Sequence, residues 1–233
     1  MDPVGARVGP AVTDGVELGK IYERRFGEVD ESSKNVIWSE IATYLQRWIP
    51  PDARVLDVAC DKGYFIRHIR AAERWATDVR DMGGHVGDGV QFVQCDGLML
   101  SHSVPADHFD VVFMSNYLEH LPSADAVIVQ LREANRVLRA DGRLIVLQPN
   151  IKLVGDAYWD FIDHRVAITD RSLVEAAHAA GFEVEHIIVR FLPYTTKRRL
   201  PRWRWLVSLY LRLPIAWWFM GKQTLLIARP VHR

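Results

Sequence analysis

Three aspartates lie in or near the ends of short apolar segments that are typical of buried strands. Asp57 lies in the segment 54–58, Asp78 ends the segment 75–78, and Asp96 lies near the end of 91–97. In an open α/β sheet the carboxyl ends of parallel strands border the ligand crevice, and a carboxylate about 20 residues after a glycine turn accepts hydrogen bonds from ribose hydroxyls. Asp78 stands 21 residues after Asp57 and 15 after Gly63, which predicts a nucleoside site with Asp78 on the ribose. The alternative is a solvated aspartate at a strand end.

Two histidines are candidates for taking a proton from a bound hydroxyl group. His120 follows the fourth apolar segment, and His164 lies beside Asp163 in the loop after the fifth. Imidazole suits general base catalysis because its ordinary pKa lies near neutrality. A purely structural role stays open for each histidine.

The aromatic residues of that loop are candidates for binding an acceptor molecule. Tyr158 and Trp159 stand beside Asp160, and Asp163 follows. Aromatic faces next to carboxylates suit a sugar ring, and they suit a protein core equally well. The acids and histidines show no close ligand spacing, so the sequence predicts no metal site.

Apolar segments and amphipathic stretches alternate, and they predict the elements that position these side chains. The segment 33–49 repeats apolar residues at helical spacing and ends at Pro50-Pro51. Further helices are expected over 64–73, 123–139 and 169–180, the last capped by Thr169 and followed by Gly181. Strands are expected over 54–58, 75–78, 91–97, 109–116, 143–148, 182–191 and 222–229, with a turn at Asp141-Gly142. This alternation indicates an α/β fold.

Length, charge and cysteine content narrow the class of protein. The 233 residues suffice for a flexible leader over 1–18 and a single domain over 19–233 that includes a helical cover over 19–50. A net charge of +0 argues against a nucleic-acid partner, and two cysteines are too few for a disulfide framework. The chain shows neither a signal peptide nor an apolar run of membrane-spanning length, so a cytoplasmic protein is expected.

The turn after the first strand resembles motif I of the class I S-adenosylmethionine (SAM) methyltransferases, an acidic residue followed by Gly-x-Gly-x-Gly. Asp57 takes the acidic position and Gly63 the last glycine position, whereas Ala59 and Asp61 replace the first two glycines. Further matches follow in register at 109–112 (Phe-Asp-Val-Val), 118–121 (Leu-Glu-His-Leu), 141–146 (Asp-Gly-Arg-Leu-Ile-Val) and 149–150 (Pro-Asn). They cover about residues 50–190, and the chain is similar to the type 11 methyltransferases of that class.

The resemblance implies a doubly wound, Rossmann-like sheet in the order 3-2-1-4-5-7-6 with strand 7 antiparallel. It also implies SAM as methyl donor, with Asp78 on the ribose and Asp96 and Gly97 beside the adenine. The implied cofactor-binding residues are Asp57, Ala59, Asp61, Gly63, Asp78, Asp96, Gly97 and Ser115. Asp61 puts a carboxylate near the methionine carboxylate of SAM, a repulsion that Lys62 or Arg67 would have to offset unless Asp61 turns outward.

The expected activity is transfer of a methyl group from SAM, at oxygen, to a small molecule, a sugar or glycan, or a glycolipid. Such a transfer needs the acceptor atom aligned within about 3–3.5 Å of the methyl carbon, in a site without water. The alternative is a binding or structural protein of the same fold that does not methylate, such as a membrane-associated partner.

A basic and aromatic insert, residues 195–221, separates the last two predicted strands. It holds six Lys and Arg residues, no Asp or Glu, and four of the eight Trp residues of the chain. It predicts a helix broken at Pro214. Cationic residues mixed with Trp and Leu suit a membrane interface or a lipid-linked substrate. A dimer face, or a helix packed on the core, is the alternative.

Overall fold

A computed structural model describes residues 31–194 and 203–231 of the chain. Its centre is a seven-stranded sheet in the order β3-β2-β1-β4-β5-β7-β6. The strands are β1 Arg54–Val58, β2 Glu73–Asp78, β3 Val90–Gln94, β4 Phe109–Ser115, β5 Leu138–Pro149, β6 Phe182–Leu192 and β7 Gln223–Pro230. β7 pairs antiparallel with both β5 and β6, whereas the pairs among β1 to β5 are parallel. The predicted strand order is confirmed.

Six α-helices accompany the sheet in the described residues. They are α1 Glu31–Leu45, α2 Ala124–Val137, α3 Ile151–Val154, α4 Asp170–Ala179, α5 Arg204–Arg212 and α6 Pro214–Met220. Side chains fix the starts of two of them. The Ser123 hydroxyl accepts from the Ala126 N–H at the start of α2, and Thr169 and Ser172 form a reciprocal capping box at the start of α4. The cap predicted at Thr169 is therefore confirmed.

The central strands bury both faces, and successive side chains contribute to opposite halves of the core. Val55 and Val111 belong to the half that contains α1 residues, whereas Leu56 and Val112 belong to the half that contains α2 and α4 residues. This alternation follows from the two-residue repeat of a strand. Helices pack on both faces of the sheet and hold its strands in place, and the candidate site lies at the ends of those strands.

The helix predicted over 64–73 is wrong. Residues 61–68 form consecutive turns, in which the Arg67 N–H donates to Gly63 and the His68 N–H donates to Phe65. The first bond joins residues four apart, as in an α-helix, and the second joins residues three apart. The two spacings are not those of a continuous α-helix. The helix N-terminus expected near Tyr64 is consequently not formed. The turn predicted at Asp141-Gly142 lies inside β5 as an irregularity of the strand, because Leu138 pairs with Phe109 and Arg143 with Val111, which leaves residues 139–142 without a partner in β4.

The insert forms two helices that meet at Pro214, as predicted. Leu211 of α5 is buried in the core, and the Tyr210 hydroxyl donates to the Phe191 carbonyl at 2.7 Å. Trp217 of α6 packs edge-on against Tyr44 and Phe191, with centroid separations of 5.9 and 5.4 Å. Within the described residues no helix is both long and apolar enough to cross a bilayer. The leader, residues 19–30 of the cover and residues 195–202 of the insert lie outside the described residues.

Candidate nucleoside and acceptor site

Asp78 ends β2, the neighbour of β1, and the strand order reverses between β1 and β4. Open α/β sheets bind ligands at such a point. The Asp78 carboxylate is only 5% exposed, and it accepts hydrogen bonds from the backbone N–H groups of Asp61 and Arg80, both at 3.0 Å. The backbone thus holds the predicted ribose acid at the crevice.

Arg80 covers that carboxylate, and the sequence analysis did not identify it. Its Nε lies 3.0 Å from Asp78 Oδ1, and its Nη2 lies 3.2 Å from Asp78 Oδ2 and 3.0 Å from Asp61 Oδ1. With the two backbone donors, the side chain uses the roughly four acceptor positions that a carboxylate offers. The position of Arg80, two residues after a strand-end aspartate, is the signal that could have revealed it.

Arg80, and neither Lys62 nor Arg67, supplies the charge that offsets Asp61. Lys62 pairs with Glu31, and the Arg67 guanidinium lies over the Tyr64 ring at 5.1 Å. The ion pair that the structure gives Asp61 is therefore with Arg80 and with neither of those two cations. A guanidinium can bridge two carboxylates because it presents several donors in one plane.

The motif I turn keeps a glycine-like backbone although two of its glycines are replaced. Ala59, Asp61 and Gly63 have φ values of 55°, 48° and 67°, all in the left-handed region. At Gly63 an added Cβ would lie 2.9 Å from Val86 Cα, so the glycine is also required for close packing. The alanine and the aspartate thus change the chemistry of the turn more than its path.

Asp57 lies beneath this turn. It is 4% exposed, and its carboxylate accepts from the Ile66 N–H. Burial raises the pKa of Asp57 well above its ordinary value, and the nearby charges of Asp78 and Asp61 raise it further. Asp57, Asp61 and Asp78 are therefore close enough to interact electrostatically.

The tips of β3 and β4 carry the remaining predicted cofactor residues. Asp96 is exposed, and its Oδ1 accepts from the Leu98 N–H at 2.9 Å. Gly97 is buried so closely that an added Cβ would lie 2.5 Å from the Tyr117 hydroxyl oxygen and would also overlap Gln130. Ser115 ends β4, and its hydroxyl accepts from the Asn116 amide at 2.9 Å.

His120, Asp163 and His164 meet after β4 and β5, although 42 residues lie between His120 and Asp163 in the sequence. The Glu119 carbonyl accepts from the N–H groups of Arg165 and Val166, at 2.8 and 3.1 Å, and this links the loop to the end of β4. His120 Nδ1 lies 3.1 Å from the Asp163 carbonyl and 3.2 Å from Asp163 Oδ2.

Glu119 completes this group, and sequence reasoning missed it. Its carboxylate is almost fully buried, Oε2 accepts from the Gln148 amide at 2.9 Å, and Oε1 lies 3.8 Å from His120 Nε2. The ring centroids of His120 and His164 are 4.9 Å apart. We call Glu119, His120, Asp163 and His164 the histidine cluster.

The two histidines differ in electrostatics. Burial alone would lower the pKa of His120, but the Glu119 and Asp163 carboxylates outweigh burial and raise that pKa above its ordinary value. Burial lowers the pKa of His164. At neutral pH His164 is therefore a neutral imidazole, whereas His120 is the more basic of the two.

The two aromatic candidates lie in different environments. Tyr158 is fully buried, donates its hydroxyl to the Val166 carbonyl at 2.6 Å, and packs 4.8 Å from the His164 ring. The structure thus places Tyr158 in the core, where it holds the loop of the histidine cluster. Trp159 is 51% exposed and is the aromatic face that remains accessible.

The polar groups at the strand tips fit SAM on one condition. A buried carboxylate at the end of β2 suits the ribose diol, and an exposed carboxylate after β3 suits the amino group of adenine. The Asp78 acceptor positions are used by Arg80, so the Arg80 side chain must withdraw before the ribose hydroxyls can bind.

Comparisons with known proteins agree with this fold. Residues 30–187 match the sequence profile of a methyltransferase domain family. A chain of the complex between the Haloferax volcanii Trm112 methyltransferase activator and a methyltransferase superposes with a TM-score of 0.64 at 16% identity, covering 95% of this chain and 100% of that one. A SAM-dependent methyltransferase from Mesorhizobium loti gives 0.59 at 18% identity, covering 79% and 95%.

A third solved structure of similar fold is the [4+2]-cyclase SpnF, with a TM-score of 0.56 at 19% identity, covering 83% of this chain and 81% of that one. At these identities the likeness concerns the fold alone. The search of curated proteins found no match. The profile match spans well over half of the chain, and the strand order agrees with it. The chain therefore belongs to the class I SAM-dependent methyltransferase family, whose methyl donor is SAM.

Proposed function

We propose that this protein transfers the methyl group of SAM to a hydroxyl oxygen of a small molecule, a sugar or glycan, or a glycolipid. One juxtaposition supports the proposal. A buried ribose-type carboxylate, Asp78, ends a strand on one side of the switch point, and the histidine cluster follows β4 on the other side. A donor nucleoside and an acceptor hydroxyl would thus meet above β1 and β4.

The residues on the β1–β3 side hold the donor. When bound, SAM supplies a methyl group that is already activated by the sulfonium charge. Asp78 accepts the ribose hydroxyls once Arg80 withdraws, and Asp96 accepts from the adenine amine. Arg80 keeps its contact with Asp61 and so reduces the repulsion between Asp61 and the methionine carboxylate.

The histidine cluster assists the acceptor. A hydroxyl is a weak nucleophile, and removing its proton during methyl transfer is general base catalysis. Asp163 orients His120 through Nδ1, as a carboxylate orients the base in other catalytic groups. The exposed Trp159 ring on the same loop offers a face on which a sugar ring can stack.

A transfer assay tests this proposal. The protein is incubated with methyl-labelled SAM and a panel of sugars, glycolipids and phenols, and label in each acceptor is measured. We expect labelling that falls about 100-fold in His120→Gln, because general base catalysis contributes about 10²–10⁴-fold. His85→Gln, at an exposed histidine, is the matched control. Labelling of no hydroxyl acceptor, or equal rates in the two variants, would contradict the proposal.

A second candidate function is binding or rearrangement of a ligand without methylation. The Asp61–Arg80–Asp78 contact favours it, because this contact fills the donor site. The cyclase named above has this fold and, by its name, performs a different reaction. Absence of SAM binding in calorimetry would favour this candidate.

We also propose that α5 and α6 contact an anionic membrane surface, which would place the protein at the cytoplasmic face of a membrane and present a lipid-linked acceptor. The outer side of the two helices exposes Trp203, Trp205, Ile215, Trp218 and Phe219, each at least 61% exposed. The insert adds cations and no acids. Apolar side chains among cations are complementary to an anionic bilayer interface.

Co-sedimentation with vesicles tests the membrane contact. We expect binding to vesicles with anionic lipid, weaker binding to neutral vesicles, and at least tenfold weaker binding for Trp218→Ala combined with Phe219→Ala. Trp159→Ala, which removes an exposed Trp elsewhere on the protein, is the matched control. Equal binding of all forms would rule the contact out.

A further inference from the structure

The histidine cluster brings three potential metal ligands together. One ligand atom from each of Glu119, His120 and His164 lies within 4.8 Å of the others, and Glu119 Oε1 lies 3.8 Å from His120 Nε2. Tetrahedral ligands on Zn²⁺, at about 2.0–2.1 Å from the ion, lie about 3.3 Å apart. Small side-chain rotations would therefore close the cluster around an ion.

His164 provides a second, independent observation. His164 is only 8% exposed, and its Nδ1 atom is buried without a hydrogen-bond partner. Buried polar atoms in native proteins nearly always have a partner, so an orphan atom calls for an explanation. A metal ion beside the imidazole would supply the missing interaction.

The surroundings of the cluster are those that metal ligands usually have. His120 Nδ1 contacts the carboxylate of Asp163 at 3.2 Å, which leaves Nε2 directed towards Glu119. The other Glu119 oxygen accepts from Gln148. Ligating histidines commonly donate their second N–H to a carboxylate or carbonyl, and ligating carboxylates are themselves hydrogen-bonded.

We propose that Glu119, His120 and His164 bind a divalent transition-metal ion of the Zn²⁺ class at the acceptor side of the crevice. Two imidazoles and one carboxylate favour such an ion over Mg²⁺, which prefers oxygen ligands. Three protein ligands leave further coordination positions for a hydroxyl, whose pKa the ion would lower. This last step rests on the proposed function. It would make His120 a metal ligand through Nε2, so that the ion, and not His120, would activate the acceptor hydroxyl, whose proton would pass to solvent. Metal binding itself does not rest on this step.

Cobalt titration tests the site directly. Chelator-treated full-length protein is titrated with Co²⁺ and then with Zn²⁺, and visible Co²⁺ absorption is recorded. We expect one ion per chain, displacement by Zn²⁺, no thiolate charge-transfer band, and at least tenfold weaker binding in Glu119→Gln and in His164→Phe. His85→Ala is the matched control. Mg²⁺ should not displace Co²⁺.

Two results would overturn the proposal. One is no saturable uptake of Co²⁺ or Zn²⁺ by the wild-type protein, and the other is equal affinity in the wild type and both cluster variants. Circular dichroism and SAM calorimetry on the same variants show whether they are folded. A folded variant that binds SAM while the wild type takes up no metal refutes the metal site and leaves the methyltransferase proposal standing.

Discussion

At the scale of residues, Arg80 determines whether the Asp78 carboxylate is free to accept hydrogen bonds from a ligand. Its guanidinium joins Asp61 to Asp78 and occupies the acceptor positions that a ribose would use. Asp78 could be predicted from its place at a strand end. For Arg80 the only sequence signal is its position two residues after Asp78, and this signal is weak because the partner of a carboxylate depends on how the turn after the strand folds back.

The Arg80 contact leads to a prediction about affinity. The double variant Asp61→Gly with Arg80→Ala should bind SAM about tenfold more tightly than the wild type, about 1.4 kcal/mol, because both the repelling carboxylate and the cover are removed. It should also be less stable by about 1–3 kcal/mol, since buried Asp78 loses its cation. Calorimetry and denaturant unfolding measure the two effects.

The control for this variant is Lys62→Ala, which removes a cation of the same turn that pairs with Glu31. Its SAM affinity should match that of the wild type. Weaker SAM binding by the double variant would contradict this prediction, because it would mean that the Asp61–Arg80 pair as a whole helps to hold the cofactor.

Asp57 leads to a prediction about pH. Its pKa is raised in the folded state, so its contribution to stability is complete below the unfolded pKa of about 3.9 and is lost as the pH rises through the folded pKa. Asp57→Asn lacks this loss. Its stability relative to the wild type should therefore increase as the pH rises from 4 to 7.5, in denaturant unfolding followed at each pH.

Asp52→Asn is the comparison for Asp57→Asn, because Asp52 is exposed at the turn before β1. Its unfolding free energy should follow that of the wild type at every pH. An Asp57→Asn curve parallel to the wild-type curve would show that Asp57 is not the buried, raised-pKa group described here.

At the scale of elements, the sequence predicted the strands and the capped helices more reliably than the turns. Apolar runs and capping residues are local signals, and β1, β4, β7 and α4 were found close to their predicted bounds. The predicted helix over 64–73 is not formed, because the Gly63–Arg67 and Phe65–His68 hydrogen bonds do not continue as a helical series and β2 already begins at Glu73.

Helix α6 presents adjacent tryptophans to different environments. Trp217 packs against Tyr44 and Phe191, and its N–H donates to the Tyr210 carbonyl at 2.8 Å, whereas Trp218 is 68% exposed. Trp217→Ala should lower the free energy of unfolding by about 2 kcal/mol, and Trp218→Ala should change it by less than about 0.5 kcal/mol. Thermal and denaturant unfolding distinguish them. Equal losses would mean that α6 is not attached through Trp217.

At the scale of the whole molecule, the sheet order brings distant groups to one crevice. The order was predictable because several short motifs matched in register, each weak alone. The histidine cluster was not, since its members come from two loops that are joined by backbone hydrogen bonds to the Glu119 carbonyl. Spacing along the chain therefore argued against a metal site that the fold makes geometrically possible.

The central claim is that the tips of β1–β3 hold a nucleoside through Asp78. Titration calorimetry with SAM on the wild type, Asp78→Asn and the exposed control Asp88→Asn tests it most directly. The account predicts micromolar binding by the wild type and the control, and binding at least tenfold weaker for Asp78→Asn, since hydrogen bonds to a charged group contribute about 1.5–3 kcal/mol. No binding by the wild type, or equal affinity in all three proteins, would contradict it.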